Sequence, residues 1–247
     1  MARGIDPDRV VLVTAALLFA GSTAVTVAWC ASMADMPGMD MPGGWTMSMS
    51  WMRMPGQGWP QSAASFLGMW TVMMVAMMLP SLVPALRRYR PAVAARVAGA
   101  YFGVWILSGA AAYPIGVAIA EYAMRHAELA RRVPVLAALT VGAAGVAQLS
   151  AWKVRQLDCC RSAAGAAAAR MDGWRAGITL GLRCCACCAP LTAALLVLGV
   201  MDLVVMTGAC LAISLERLAP RGPALARFSG VLLLAGAVAM LLGYSPV

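Results

Sequence analysis

Long stretches of this chain carry no charged side chain. None occurs between Arg9 and Asp35, between Arg53 and Arg87, between Arg96 and Glu121, between Arg132 and Lys153, or after Arg227. Each gap accommodates the roughly 20 apolar residues that cross a bilayer as a helix. The pattern predicts seven spans, over Val10–Ala31, Phe66–Leu86, Val97–Glu121, Val133–Trp152, Ala176–Leu198, Val200–Leu218 and Leu225–Tyr244. The fifth and sixth share one apolar stretch from Gly177 to Arg217, with Gly199 and Asp202 near its middle. About 40 residues is too long for one span and right for a tight helical hairpin. The expected fold is an all-α polytopic transmembrane bundle. It divides into an N-terminal helix (1–32), an outer loop (33–65) and a six-helix membrane domain (66–247). The first span has the basic start and small residues of a signal peptide, but its apolar run is longer than a signal needs, so it is read as a retained helix.

Composition agrees with the pattern. Of 247 residues, 62% are hydrophobic and only 12% charged, where a soluble domain has about a quarter charged. The net charge of +9 therefore points to lipid contact and cytoplasmic loops, not to a nucleic-acid partner. With the N-terminus inside, the cytoplasmic segments hold 14 Lys and Arg residues and the outer segments four, Arg53, Arg125, Arg131 and Arg132. That bias sets the orientation. The eight cysteines fall mostly in spans or inner loops, where thiols stay reduced, so they do not form a disulfide framework.

Sulfur is the candidate chemistry. Eight of the 19 methionines lie between Met33 and Met54, on the side the charges place outside. Met36, Met39 and Met41 show the Met-x-Met and Met-x-x-Met spacings that bring thioethers onto one small ion. Pro37, Pro42 and Pro55 with four glycines exclude a regular helix. Thioethers favour copper(I) over harder ions. Packing at the membrane interface, with Trp45, Trp51 and Trp59, is the alternative reading, and a Met-rich partner surface is another.

Two spans continue the theme. In the second, Met69, Met73 and Met77 form a stripe at four-residue spacing, flanked by Met74 and Met78. Methionine is also a common packing residue, so the stripe alone does not decide. In the fifth, Cys184, Cys185, Cys187 and Cys188 cover roughly 160° of one helix face. Thiolates bind copper(I) or, as a lesser candidate, zinc. Both groups fall near the midplane, and a composite Met/Cys site requires the two helices to be neighbours. Arg183 either lowers the neighbouring thiol pKa values or snorkels to the headgroups. Cys159 and Cys160, on the inner side, form a shallower metal site, an acceptor-docking point or a passive pair. Cys30 could join the outer methionines, Cys210 is read as packing, and Asp202 suits a helix N-terminus.

These residues resemble a bacterial family of predicted metal-binding integral membrane proteins, often labelled copper chaperones. The resemblance rests on Met69-Trp70, Met73, Ala76-Met77-Met78 and Pro80-Ser81 in the second span. It continues through Gln148-Leu149, Lys153 and Cys160-Arg161-Ser162. It ends with Gly173-Trp174-Arg175-Ala176-Gly177, Cys184, Cys187-Cys188, Gly199-Val200-Met201 and Glu216-Arg217. It covers about Phe66 to the C-terminus. Gln156 stands where the family pattern has a further cysteine, and Cys185 is additional. The resemblance implies a copper-associated protein of the bacterial inner membrane.

The sequence thus leads to a copper(I)-binding membrane protein that captures the ion at the outer methionine segment and then exchanges it with a donor or acceptor protein or passes it across the membrane. Its expected intramembrane site is Met73, Met77, Cys184, Cys187 and Cys188. No catalytic constellation accompanies these ligands. A membrane thiol–disulfide oxidoreductase is the second reading, and a structural subunit of a larger complex the third. Oligomeric state is not legible.

Overall fold

The structure, a computed structural model, describes residues 6–34, 38–42, 44–47, 51, 56–163 and 172–243. Its helices are α1 (Pro7–Ala34), α2 (Trp59–Leu86), α3 (Pro91–Arg125), α4 (Ala127–Leu149), α5 (Ala151–Ala163), α6 (Gly173–Leu198), α7 (Leu203–Leu218) and α8 (Gly222–Gly243). Two short strands, β1 (Met39–Met41) and β2 (Trp45–Met47), lie between α1 and α2. Six helices, α1 to α4, α6 and α8, are long and apolar enough to cross a membrane. The protein is an all-α membrane bundle.

The sixth expected span, α7, has 16 residues. At 1.5 Å per residue it is about 24 Å long, short of the roughly 30 Å hydrocarbon core. The break before it lies where the sequence placed it. Gly199, at φ +131°, ends α6 in a conformation that L side chains rarely adopt. The Asp202 carboxylate then caps α7, accepting from Val204 N at 2.8 Å and Val205 N at 3.0 Å. Beyond α4 the chain does not relax into a loop as expected. Ser150 turns it directly into α5, which packs back on α6.

Burial sorts the helices. In their most apolar windows α2 is 61% buried and α6 50%, while the other four candidate spans are 17–28% buried. The two sulfur-bearing helices are therefore the inner ones. The others present apolar side chains outward, among them Leu17, Leu107 and Leu242, as lipid-facing helices do. α2 packs on α1, α3 and α7, and α6 packs on α3, α4, α5 and α7. Hence α2 and α6 share the neighbours α3 and α7 in place of a long contact of their own.

The α3–α6 contact is unusually close, because Gly173, Gly177 and Gly181 recur every four residues on the touching face of α6. A Cβ on Gly177 would stand 2.4 Å from the Val97 carbonyl oxygen. Small residues at this spacing let membrane helices approach backbone to backbone. The approach brings Tyr101 of α3 against α6.

Beyond α1 the described part of the methionine-rich segment forms no regular helix, as its prolines and glycines predict, but it folds into two short strands. β1 and β2 pair antiparallel, Met39 opposite Met47 and Met41 opposite Trp45, around a turn containing Gly44 at φ +73°. Met41 and Met47 are buried against Ala120 and Ala123 of α3 and Ala130 of α4. Trp45 Nε1 donates to the Ala130 carbonyl at 2.8 Å. Alternation along the strands puts these apolar side chains on one face, which seats on the α3–α4 corner. Met39 remains exposed. Met36 lies outside the described residues.

Candidate functional site

The centre of the bundle holds four buried thiols. Cys184, Cys187 and Cys188 project from α6 because positions three and four apart share a helix face, and each is at most 1% exposed. Cys160 of α5, also 1% exposed, faces Cys184 and Cys187 closely enough for their thiols to interact. Cys184 Sγ and Cys188 Sγ are 3.7 Å apart. Cys185 is only partly buried and stands at the edge of this core. The Cys159–Cys160 pair is thus split: Cys159 is exposed, since adjacent residues on α5 point about 100° apart. Among the described residues, no three Cys, His, Asp or Glu side chains form a ready coordination sphere. The thiols are gathered but not closed around a common point.

A buried cation touches one of them, Cys184. Arg217, near the end of α7 and 8% exposed, directs Nη1 to Cys184 Sγ at 3.1 Å, Ser81 Oγ at 2.6 Å and Tyr101 Oη at 3.3 Å. Tyr101 Oη donates to Cys184 Sγ at 3.0 Å. Arg183 has no such role. It is exposed, and its Nη1 donates to the Cys159 carbonyl at 3.0 Å. Of its two readings the structure favours the outward one, and the charge beside the thiols comes from a different helix.

A second buried charge pair braces the group. Lys153 Nζ is 2.7 Å from Glu216 Oε2, with side chains 0% and 2% exposed, and it donates to the Cys187 carbonyl at 2.8 Å. Glu216 Oε1 accepts from Gln148 Nε2 at 2.7 Å and Ser229 Oγ at 2.7 Å. A buried ion pair is tolerated when its remaining hydrogen-bonding capacity is used, as here. α4, α5, α7 and α8 are thereby tied to the backbone of the cysteine turn. By sequence, Lys153 and Arg217 fall among the inner-loop charges. Both belong to the bundle interior, and the charge bias survives without them, at 12 to four.

The methionines of α2 are buried in the same core: Met69, Met73, Met74, Met77 and Met78 are all 7% exposed or less. Their helix reaches the thiols through Ser81 and Arg217. Met69, Met73, Met77 and Ser81 follow at four-residue intervals, so the thioether stripe ends at the arginine. Pro80 and Pro190 lack the N–H groups that would bond to the carbonyls of Ala76 and Ala186, which loosens each inner helix beside the sulfur.

Fold and core together define a polytopic helical membrane protein with thiols and a guanidinium at its centre. Residues 67–240 match the family model described as PpoB2, copper chaperone, and the chain belongs to that family. Membership gives it a copper-related role. Neither a curated protein nor a solved structure matches the chain. The family region takes in α2 from Leu67, the four central thiols, Arg217 and the Lys153–Glu216 pair, and it excludes Cys30 and the β-hairpin.

Proposed function

We propose that the protein binds copper(I) at Cys160, Cys184, Cys187 and Cys188 and passes it to or from a partner protein. The observation that carries this reading is the meeting of four buried thiols with the Arg217 guanidinium. Soft thiolates select copper(I), and a cation at hydrogen-bonding distance offsets the negative charge that two or more thiolates bring to one ion. Small rotamer changes at thiols already in mutual reach would close a two- or three-sulfur sphere. Met73 and Met77 would supply neutral donors along the way. In the outer segment Met39 is exposed and open for capture, whereas Met41 and Met47 are committed to packing.

We read the site as a carrier and not as a catalyst. Disulfide exchange needs a thiolate that meets a substrate disulfide, and all four thiols are buried. The test is metal analysis of purified protein, wild type against Cys184/Cys187/Cys188→Ser. About one copper per chain lost in the variant supports the proposal. A wild type that takes up no copper(I), and instead titrates as a redox-active disulfide, overturns it.

A further inference from the structure

A second group of sulfur atoms lies away from the thiols, at the end of the bundle where the β-hairpin sits. Here α1 ends, α2 begins its descent and α6 turns into α7. A cavity of about 10 Å³ is lined there by Cys30, Met69, Met73, Met201 and Met206, with Thr26 and Trp29 beside them. Five sulfur side chains from three separate parts of the chain thus converge on a space that holds roughly one water-sized particle. That suits a single small ion.

An independent observation marks the same wall. The Thr26 hydroxyl is buried, the residue being 7% exposed, and it has no hydrogen-bond partner among the described residues. Buried hydroxyls are normally satisfied, and a helical threonine has its own i−4 carbonyl at hand. The Thr26 hydroxyl is thus a polar group left open on the cavity wall. Nearby, the Asp202 carboxylate is within electrostatic range of Cys30, and its negative charge favours a cation. Trp29 and Met201 are only partly buried, which leaves a way in.

We propose that this cavity is a second copper(I) site, held by Cys30 with thioethers drawn from Met69, Met73, Met201 and Met206. It rests on the copper reading of the thiol group but is a second site that uses none of the four central thiols. Thioethers bind the ion more weakly than thiolates and release no proton. Only Cys30, on ligation, gives up one proton to water, and the ion stays copper(I) throughout. The site also has a direction built into it. Met69 and Met73 belong both to the cavity and to the stripe that continues through Met77 to Ser81, about 18 Å along α2 at 1.5 Å per residue. Ser81 touches Arg217, and Arg217 touches Cys184. A weak site at one end of a thioether line and a tight site at the other is the arrangement a one-way hand-off requires.

The experiment is copper(I) titration of the full-length protein in detergent against a chromophoric chelator. Wild type is expected to bind two equivalents of different affinity. Cys30→Ala with Met201→Leu and Met206→Leu, near-isosteric changes at the methionines, should lose the weaker equivalent and keep the tighter. Cys184/Cys187/Cys188→Ser should do the reverse. If the cavity variant binds copper(I) as wild type does, the second site is overturned while the thiol site stands. If the serine variant alone is unaffected, the thiol site falls and the cavity survives. Should the cavity variant fail to fold, selenomethionine-labelled Cys184/Cys187/Cys188→Ser protein loaded with one copper(I) decides. With the outer Met36, Met39 and Met41 replaced by leucine in that protein, copper–selenium scattering in X-ray absorption supports the cavity, and its absence overturns it.

Discussion

Arg217 Nη1 lies 3.1 Å from Cys184 Sγ, and the two residues are 33 positions apart in the chain. An arginine inside a membrane bundle is costly unless its donors are used, and here one nitrogen serves Ser81, Tyr101 and Cys184. Arg217→Met keeps the length of the side chain and removes the charge. It should weaken copper(I) binding by roughly tenfold to a hundredfold, or about 1.4 to 3 kcal/mol. Arg217→Lys should recover part of the loss, since an ammonium restores the charge but not the planar fork. Chelator competition on both variants checks this. Unchanged affinity in Arg217→Met would assign the arginine to packing alone.

The contact shows what the sequence could and could not disclose. Charge-free gaps predict the long helices because a bilayer forbids unpaired charge over their length. The cysteine face of α6 is equally legible, since the spacing 184, 187, 188 fixes a common side. Which cation serves those thiols is not, because that depends on how α7 packs. Sequence proximity favoured Arg183, whereas Arg217, at a span end, looked like one more loop charge. Gln148, Lys153, Glu216 and Arg217 stood out only as parts of a family pattern, without a stated task. The β-hairpin did leave a signal. Met39-Asp40-Met41 and Trp45-Thr46-Met47 alternate with period two around a proline–glycine turn. Strands of three residues are too short for that signal to outweigh the prolines.

Lys153 and Glu216 should behave as one unit. Lys153→Met leaves the Glu216 carboxylate buried without its ammonium, and removing one partner of a buried pair costs about 3–5 kcal/mol. Glu216→Gln strands the ammonium in the same way. The double variant has no uncompensated charge and should be more stable than either single one. Thermal unfolding of the four proteins in one detergent closes the cycle. Losses that simply add in the double variant would show that the pair carries no coupling.

Cys159 and Cys160 should differ in reactivity by their placement on α5. Cys159 is exposed and Cys160 is 1% exposed, so a membrane-impermeant maleimide should label the first and spare the second until the protein is denatured. The charge bias predicts α5 on the cytoplasmic side, so labelling should occur in inside-out vesicles and not in intact cells. Variants that keep only Cys159 or only Cys160 separate the two signals. Labelling of Cys159 from the outside would reverse the orientation and, with it, the direction of any hand-off.

Gly177 sets the distance between the helix that carries Tyr101 and the helix that carries Cys184. In Gly177→Ala the new Cβ would stand 2.4 Å from the Val97 carbonyl oxygen and 2.6 Å from Ala100 Cβ. Backbone cannot yield as a flexible side chain does, so α3 and α6 must part, at a cost of about 1–3 kcal/mol. The gain in helix propensity, up to about 1 kcal/mol, does not offset this. Tyr101 follows Val97 by one turn and Cys184 follows Gly177 by about two, so parting the helices also lengthens the 3.0 Å Tyr101–Cys184 bond. Gly68→Ala is the matched control. It lies on α2 with nothing within 4 Å of its added Cβ, so it should leave stability unchanged or raise it slightly. Melting temperature and copper(I) affinity should therefore fall together in Gly177→Ala and in neither respect in Gly68→Ala. A drop in stability with copper(I) affinity intact would mean that the thiols hold the ion without help from α3.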